Sequence, residues 1–440
     1  MKRTIQDSLT AWAKASKRKP LLIRGARQIG KTFAARQLAK RFENFVEVNF
    51  ELSPHYQQCF SNLDPNHIVN MIQLLSKQSI QPGKTLLFFD EIQNCPEALQ
   101  ALRYFKEKLP ELHVLAAGSL LEFTLYQENI SMPVGRIEYL YMYPCTFQEY
   151  LLNTGEHRLL DFLAEVALHQ AIPTVIHDKL LSLFRTYMAI GGMPEVMSAF
   201  IDTPDYHTVQ RLQNSILRTY HDDFGKYANL SQHKYLQSVF EKAPGLVGTQ
   251  VQYTKIAPEY RSRELKQAIN LLEYAGILKR IYASTASGLP LSATQNDKKF
   301  KFSLLDVGLV QRVSGLEAAL LQAPDLIKLN DGQLAEQVVA QEIMAYQDPF
   351  SPSQVYFWAR DKRGSQAEID YVVNIKSMIL PIEVKSGATG KLKSLRLFMQ
   401  EKSSPIGVKI ATAPLGFEQN ILSLPIYLIW KLPELIEALV

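Results

Sequence analysis

The sequence predicts an α/β protein that begins with a parallel β-sheet and ends with a second, mixed α/β region. Three observations support this class. A glycine-rich turn with the pattern GxxxxGK[ST] occupies residues 25–32, between an apolar run at 21–23 and a helix-like stretch at 33–42. A second apolar run, 85–89, ends in two acids, as expected of a strand buried on both faces of a parallel sheet. Alternating residues at 367–373 and 380–385 indicate further strands.

The turn at 25–32 is suited to binding the phosphates of a nucleotide. Gly25 and Gly30 let the backbone fold around an anion, so that amide N–H groups and the following helix N-terminus face it. Lys31 adds a positive charge, and Thr32 offers a hydroxyl ligand to Mg²⁺. A glycine turn without a ligand is the alternative. The residues expected to contact nucleotide are Gly25, Ala26, Arg27, Gln28, Ile29, Gly30, Lys31, Thr32 and Phe33.

The second apolar run delivers Asp90 and Glu91 to the carboxyl end of a strand. We expect Asp90 to hold Mg²⁺ through water and Glu91 to act as general base toward the attacking water. A solvated acidic pair is the alternative. The chain between Lys31 and Asp90 leaves room for an intervening strand at 45–50, which fits an ATPase with an extra strand between its two motif strands.

Two later strands supply further catalytic candidates. The strand at 113–117 ends near Ser119, which we expect to sense the γ-phosphate or to orient the lytic water. The strand at 137–141 follows Arg136, which we expect near the phosphate end, neutralising transition-state charge in cis or from a neighbouring subunit. Arg103, on the helix before the fourth strand, is another candidate. Solvation or ion pairing is the alternative for both arginines.

These motifs belong to a longer series that covers nearly the whole chain: 24–32, 89–93, 117–119, 135–144, 147–150, 191–195, 304–309, 356–358 and 382–385. In this order they resemble the prokaryotic AAA-type ATPases that carry a long C-terminal domain of unknown function. The resemblance implies a P-loop NTPase fold with a helical lid, ATP and Mg²⁺ as cofactors, and ATP hydrolysis. It leaves open whether the chain forms a homo-oligomer.

The middle of the chain is expected to carry the lid and a winged-helix-like segment. Residues 151–229 read as helical, and 230–325 as helix, short strand, helix and two strands. Basic residues cluster where a recognition helix would meet DNA, namely Lys255, Arg261, Arg263 and Lys266. A solvated basic face or a protein-binding winged helix is the alternative.

The last segment presents a second group of functional residue types. A helix at 334–346 carries Glu336, a strand at 367–373 carries Asp370, and a strand at 380–385 carries Glu383 and Lys385 on one face. The carboxylates of Asp370 and Glu383 could bind Mg²⁺ or Mn²⁺. Lys385 would then position a water molecule or stabilise the negative charge of a phosphate. This arrangement resembles the restriction-endonuclease-like nuclease core, with Glu336 matching its accessory acid. Simple alternation of wet and buried positions, or a core that no longer cleaves, is the alternative.

Composition describes an ordinary globular protein. Of the 440 residues, 47% are hydrophobic and 21% charged, with a net charge of +5 that permits nucleic acid as a partner without requiring it. The cysteines Cys59, Cys95 and Cys145 are too dispersed for a disulfide framework or a zinc site. A polar N-terminus and the lack of an apolar run of about 20 residues predict a cytoplasmic protein without a membrane span.

We therefore expect four parts: an AAA-type ATPase core at 1–150, a helical lid at 151–229, a winged-helix-like domain at 230–325 and a nuclease-like domain at 326–440. The expected function is Mg²⁺-dependent ATP hydrolysis coupled to binding or processing of DNA or RNA. The alternatives are a nucleotide-switched DNA-binding regulator without cleavage and an ATP-dependent protein-interaction scaffold.

Overall fold

A computed structural model describes residues 1–119, 121, 135–168, 170–227, 230–322, 332–361, 367–385 and 392–439. The chain divides into two compact units. The first unit comprises Met1–Tyr143 together with the short segments Tyr274–Gly276 and Asp348–Pro352. The second unit comprises Pro144–Glu273, Ile277–Gln347 and Ser353–Val440.

The first unit is a five-stranded sheet with helices. Its elements are α1 (Ile5–Lys14), β1 (Leu21–Arg24), α2 (Lys31–Ala39), β2 (Asn44–Asn49), a 3₁₀ helix (Pro54–Phe60), α3 (Pro65–Ser76), β3 (Thr85–Asp90), a 3₁₀ turn (Ile92–Asn94), α4 (Pro96–Lys108), β4 (His113–Ala117) and β5 (Glu138–Tyr141). The strand order is β2-β3-β4-β1-β5, and every neighbouring pair is parallel. The carboxyl ends of all five strands therefore meet at one edge of the sheet.

The strand order corrects one detail of the sequence prediction. The strand expected at 45–50 exists as β2, but it lies at the sheet edge beside β3. The strand that separates β1 from β3 in space is β4. All residues of β3 and β4 are buried, as expected for central strands of a parallel sheet. Aromatic rings of Phe50, Phe60, Phe89 and Phe105 pack against one another beneath β3.

The second unit begins with helices and ends with a mixed sheet. Its helices are α5 (Phe147–Asn153), α6 (His157–Glu165), α7 (Thr174–Ile190), α8 (Pro194–Asp202), α9 (Tyr206–Asp222), α10 (Phe224–Tyr227), α11 (Leu230–Lys242), α12 (Tyr253–Ile256), α13 (Ser262–Tyr274), α14 (Val307–Ser314), α15 (Glu317–Gln322), α16 (Gln333–Ala345), α17 (Lys393–Lys402) and α18 (Leu432–Glu437). Three 3₁₀ helices span Ala243–Leu246, Leu291–Thr294 and Ile426–Lys431. Its strands are β6 (Leu278–Ser284), β7 (Gln295–Leu304), β8 (Tyr356–Ala359), β9 (Glu368–Ile375), β10 (Met378–Val384), β11 (Gly407–Ala411), β12 (Gly416–Glu418) and β13 (Ile421–Pro425).

All eight strands of the second unit join one sheet, in the order β12-β13-β11-β10-β9-β8-β6-β7. Strands β8, β9 and β10 form an antiparallel meander, and β11 pairs parallel to β10. Strand β6 pairs parallel to β8, so the strands of the predicted segments 230–325 and 326–440 share a sheet. The predicted boundary residues 229, 325 and 326 lie outside the described residues, and the four-part division stays a prediction.

A buried polar network packs inside the second unit. The Gly192 backbone N–H donates to Asp306 Oδ2 at 2.6 Å, and the Phe147 N–H donates to Glu342 Oε1 at 3.0 Å. Gly191 has φ +77°, and a Cβ there would collide with the Asp306 carboxylate. The Tyr187 hydroxyl lies 2.8 Å from the Cys145 carbonyl oxygen and 2.7 Å from Glu342 Oε1. Because the hydroxyl carries one proton, both contacts are satisfied when Glu342 is protonated and donates one of them.

Burial raises the pKa of Glu342 to about 7, which makes stability depend on pH. In the unfolded chain a glutamate ionises near pH 4.3. Between about pH 4.3 and 7 the folded state therefore holds a proton that the unfolded state has lost, so stability falls as pH rises and levels off above 7. We expect Glu342→Gln to remove about 2–3 kcal/mol of pH dependence between pH 5 and 8.

Urea denaturation of both proteins at several pH values measures this change. Glu241→Gln, at an exposed residue of α11, is the matched control. Its free energy of unfolding is expected to change with pH as that of the wild type does. If the free energy of unfolding depends on pH equally in the wild type and in Glu342→Gln, the buried carboxyl does not hold a proton.

Within the described ranges, no helix is long and apolar enough to cross a lipid bilayer.

Candidate functional site

The loop between β1 and α2 has the backbone conformation of a phosphate-binding turn. Gly25 has φ +144° and Gly30, the residue before α2, has φ +92°. A Cβ at Gly25 would collide with the Met142 carbonyl oxygen, so this position accepts only glycine. Among the residues that the structure describes, no side chain caps the start of α2, so its first-turn N–H groups can face an anion. Phe33 lies in this first turn and is 39% exposed.

The Lys31 side chain is held within the loop. Its ammonium donates to the carbonyl oxygens of Gly25 at 2.9 Å and Ala26 at 2.7 Å. Burial lowers the Lys31 pKa to about 8, although the carboxylates of Glu91 and Asp90 oppose that shift. The loop therefore concentrates a cation beside glycine-rich backbone, at the carboxyl edge of the parallel sheet.

Asp90 joins the loop to the second motif. Thr32 Oγ1 donates to Asp90 Oδ2 at 3.0 Å, and Asn49 Nδ2 donates to the same oxygen at 3.1 Å. Burial raises the pKa of Asp90, and the Thr32 hydrogen bond opposes that shift. A hydroxyl and a carboxylate in contact form a hard-oxygen pair that fits Mg²⁺. Sequence reasoning missed Asn49, although its position at the carboxyl end of β2 follows the same rule as Asp90.

Glu91 is fixed by two donors. Its Oε2 accepts hydrogen bonds from Gln93 Nε2 at 2.6 Å and from Ser119 Oγ at 3.1 Å. Glu91 itself has φ +50°, a conformation that non-glycine residues rarely adopt. The structure thus brings together Glu91 and Ser119, which the sequence placed after two different strands. Gln93, which sequence reasoning missed, has its buried Oε1 unpartnered within the described part of the chain.

The placement of Arg136 corrects the sequence prediction. Strand β5 starts with Glu138 opposite Leu21, so Arg136 lies at the amino edge of the sheet, whereas the glycine loop follows the carboxyl end of β1. The expected position near the phosphate end is wrong, because a residue entering a parallel strand lies at the opposite edge from a residue leaving one. Arg136 and Arg103 both pair with Glu107 Oε1, at 2.9 and 3.1 Å. This placement argues against contact with this chain's own nucleotide, and a role across a subunit boundary stays a prediction.

A second site forms where α16, β9 and β10 meet. The Val384 N–H donates to Asp370 Oδ2 at 2.7 Å, and Lys385 Nζ lies 2.8 Å from Glu383 Oε1. The Tyr371 hydroxyl donates to the Glu336 backbone carbonyl at 2.8 Å, which positions α16 over β9. The acidic site, as we name it, consists of Glu336, Glu368, Asp370, Glu383, Lys301 and Lys385. All four residues predicted from the sequence are in it; Lys301 and Glu368 were missed.

The acidic site is buried and strongly charged. Burial raises the pKa of Glu336 to about 8 and that of Glu383 to about 7, and the nearby Asp370 charge adds to both shifts. Glu383 Oε2 is buried and has no hydrogen-bond partner within the described part of the chain. Among the described residues, no group of three or more His, Cys, Asp or Glu side chains is arranged to hold a metal ion. Two carboxylates still fit Mg²⁺, which commonly takes its other oxygen ligands from water and substrate.

The parallel sheet, the glycine loop and the Thr32–Asp90 contact define a P-loop NTPase domain. Residues 17–151 match the family model described as AAA domain, so this part of the chain is an AAA-type P-loop ATPase domain. Residues 181–320 and 331–428 match two domains of unknown function, DUF8612 and DUF4143. The predicted AAA-type core followed by a domain of unknown function is thus confirmed, while the restriction-endonuclease-like core stays a prediction.

Several solved structures are similar to this chain. The Walker-type ATPase PABY2304 of Pyrococcus abyssi is 13% identical, with 70% of this chain and 94% of that chain covered and a TM-score of 0.45. The RuvB Holliday junction branch migration motor of Thermotoga maritima is 17% identical, with coverages of 63% and 88% and a TM-score of 0.30. The ORC1 protein of Aeropyrum pernix, in complex with DNA, is 15% identical, with coverages of 71% and 90% and a TM-score of 0.28. No curated protein matches the sequence.

Proposed function

We propose that the first unit binds ATP with Mg²⁺ and hydrolyses it. The observation that carries this proposal is the convergence of three pairs at one sheet edge. Lys31 is held in the glycine loop, Thr32 contacts Asp90 at 3.0 Å, and Ser119 contacts Glu91 at 3.1 Å. Phosphate binding, metal binding and water activation are the three tasks of ATP hydrolysis, and each pair suits one of them.

The residues divide the reaction as follows. The loop amides and Lys31 bind and orient the phosphates, and Thr32 and Asp90 hold Mg²⁺, which neutralises phosphate charge when bound. Glu91 accepts a proton from the attacking water while the water oxygen bonds to the terminal phosphorus. The bond from that phosphorus to the bridging oxygen breaks at the same time, and ADP leaves with the electron pair. Ser119 and Gln93 fix the direction of the Glu91 carboxylate, since both donate to the same oxygen.

Ligand-dependent thermal unfolding tests nucleotide binding. ATP with Mg²⁺ at 100 times its dissociation constant is expected to stabilise the folded chain by about 2.7 kcal/mol, which raises the melting temperature by a few degrees. ATP with EDTA should stabilise less. Asp90→Asn keeps an acceptor for Thr32 but removes the negative charge that holds the metal. In this variant ATP with Mg²⁺ and ATP with EDTA should therefore raise the melting temperature by more similar amounts. The lack of any shift with ATP and Mg²⁺ would contradict the nucleotide site.

We further propose that the acidic site binds Mg²⁺ or Mn²⁺ and acts on nucleic acid. Asp370 and Glu383 supply hard-oxygen ligands, and Glu383 Oε2, which has no partner among the described residues, is a buried acceptor that a cation would satisfy. Lys385 is half-buried beside Glu383, where its ammonium suits a phosphate of the substrate. Glu336 serves as the accessory acid. A bound metal would displace the protons that the raised pKa values of Glu336 and Glu383 favour. Four carboxylates would then face two ammonium groups, an excess of two negative charges that one divalent ion would neutralise.

An alternative is a DNA-binding regulator switched by nucleotide, without cleavage. The observation that favours it is the exposure of the basic residues around the start of α13: Lys255, Arg261, Arg263 and Lys266 are all exposed. Binding through these residues would weaken steeply with salt, since each phosphate contact releases counterions. A scaffold that binds protein rather than nucleic acid is the third candidate and has no residue-level observation in its favour.

A further inference from the structure

Lys301 is a buried cation at the centre of the acidic site. It lies on β7, and its side chain is 2% exposed. Its ammonium lies 2.6 Å from Glu368 Oε1, 3.3 Å from Glu336 Oε2 and 3.8 Å from Asp370 Oδ1, and 5.4 Å from the centre of the Phe357 ring. Three carboxylates and a ring face thus surround one positive charge.

This position differs from that of Lys385. The Lys385 side chain is 38% exposed and contacts only Glu383 among the four acids, so it has room to turn toward a substrate. Lys301 is enclosed, and burying an ammonium is costly unless fixed carboxylates surround it. Strand β7 also lies outside residues 331–428, the part of the chain that matches the C-terminal domain of unknown function.

The two lysines divide the acids into two sides. Lys301 neutralises the side formed by Glu336 and Glu368, while on the other side Glu383 Oε2 is buried and receives no hydrogen bond from any described residue. Asp370 lies between the two sides, since one of its oxygens faces Lys301 and the other accepts from the Val384 N–H. A second divalent ion on the Glu336 side would have to occupy the space of the Lys301 ammonium or lie against its charge.

We propose that Lys301 is a tethered cation which completes the acidic site from outside the C-terminal domain, takes the place of a second metal ion, and confines a divalent ion to the Asp370–Glu383 side. This inference rests on the proposed function, in which Asp370 and Glu383 bind a divalent ion. It assigns to Lys301 a positioning role, since the lysine acts through the carboxylates that it contacts.

Calorimetric titration with Mn²⁺, on the full chain without nucleotide, tests the inference. Ions of the acidic site are counted as those lost on Asp370→Asn. We expect one such ion in the wild type and two in Lys301→Met, because removal of the ammonium frees Glu336, Glu368 and the Asp370 oxygen Oδ1 as ligands. Lys299→Met is the matched control, since Lys299 lies on the same strand, is 39% exposed and pairs with Asp361. It should keep one ion.

Lys301→Met leaves buried acids without their counter-ion, so its folding is measured as well. In EDTA this variant is expected to have a lower melting temperature than the wild type. Mn²⁺ should remove this difference, because the bound metal replaces the lost positive charge. The double variant Lys301→Met/Glu368→Gln keeps the net charge of the site and serves if the single variant does not fold. It should also bind a second ion, through Glu336 and Asp370.

The outcomes separate this inference from the proposed function. If the wild type binds no ion that depends on Asp370, the metal-binding function fails and the inference falls with it. If the wild type binds two such ions, or if the lysine variants still bind one with unchanged affinity, only the role of Lys301 is overturned. One ion in the wild type and two in either variant support it.

Discussion

Glu91→Gln is expected to lower ATP turnover at least about 100-fold while changing ATP affinity by no more than about threefold. Glutamine has the shape of glutamate and keeps an oxygen for the donors Ser119 and Gln93, but it does not accept a proton from water at neutral pH. The loop residues that are expected to contact phosphate are unchanged in this variant. Steady-state phosphate release and equilibrium binding of ATP measure the two effects separately.

Lys31→Ala provides the contrast. It removes the ammonium that the carbonyl oxygens of Gly25 and Ala26 hold in the loop, so both binding and turnover should be lost. Lys40→Ala, at an exposed lysine directly after the same helix, is the matched control and should behave as wild type. Wild-type turnover by Glu91→Gln would rule out its role as the base. Unchanged binding by Lys31→Ala would rule out the loop as the phosphate site.

Asp370→Asn is expected to lower Mn²⁺-dependent cleavage of nucleic acid at least about 100-fold. Asparagine retains an oxygen that can accept the hydrogen bond from the Val384 N–H. This contact between β9 and β10 should therefore be kept, while the negative charge is lost. Asp361→Asn is the same change at an exposed acid of the second unit and should leave cleavage intact. Single-stranded, duplex and branched DNA, with and without ATP, are the substrates to compare.

The same assay distinguishes the alternative functions. Salt-sensitive binding without cleavage, lost when Arg261, Arg263 and Lys266 are neutralised, would support the DNA-binding regulator. Failure of every substrate to bind at low salt would exclude both nucleic-acid functions and favour the protein-interaction scaffold. Cleavage that persists in Asp370→Asn would remove the acidic site from the reaction.

The sequence was most informative where chemistry and local structure coincide. The glycine loop needs its residue types within eight consecutive positions, and four apolar residues, 86–89, directly precede Asp90. Both features are therefore visible without knowledge of the sheet. Glu383 and Lys385 were placed on one face by the alternation of a β-strand, and the structure shows them 2.8 Å apart.

The residues missed in the sequence are those that depend on pairing between distant strands. Asn49 reaches Asp90 only because β2 lies beside β3, and Lys301 reaches Glu336 only because β7 and α16 pack together. In the sequence, Lys299 and Lys301 alternate with phenylalanines, a pattern typical of a strand with one wet face. Arg136 was misplaced because the pattern marks a strand, whereas the edge of the sheet depends on the strand's direction.

The shared eight-stranded sheet of the second unit bears on how the protein is dissected. A fragment that starts at residue 331, as the C-terminal family match would suggest, loses β6 and β7. Strand β8 would then expose unpaired backbone N–H and C=O groups, which can pair with the same edge of another fragment and cause self-association. The same cut removes Lys301. The boundaries of the family matches are thus poor choices for expressing fragments of this chain. An inactive fragment would not show that the intact protein is inactive.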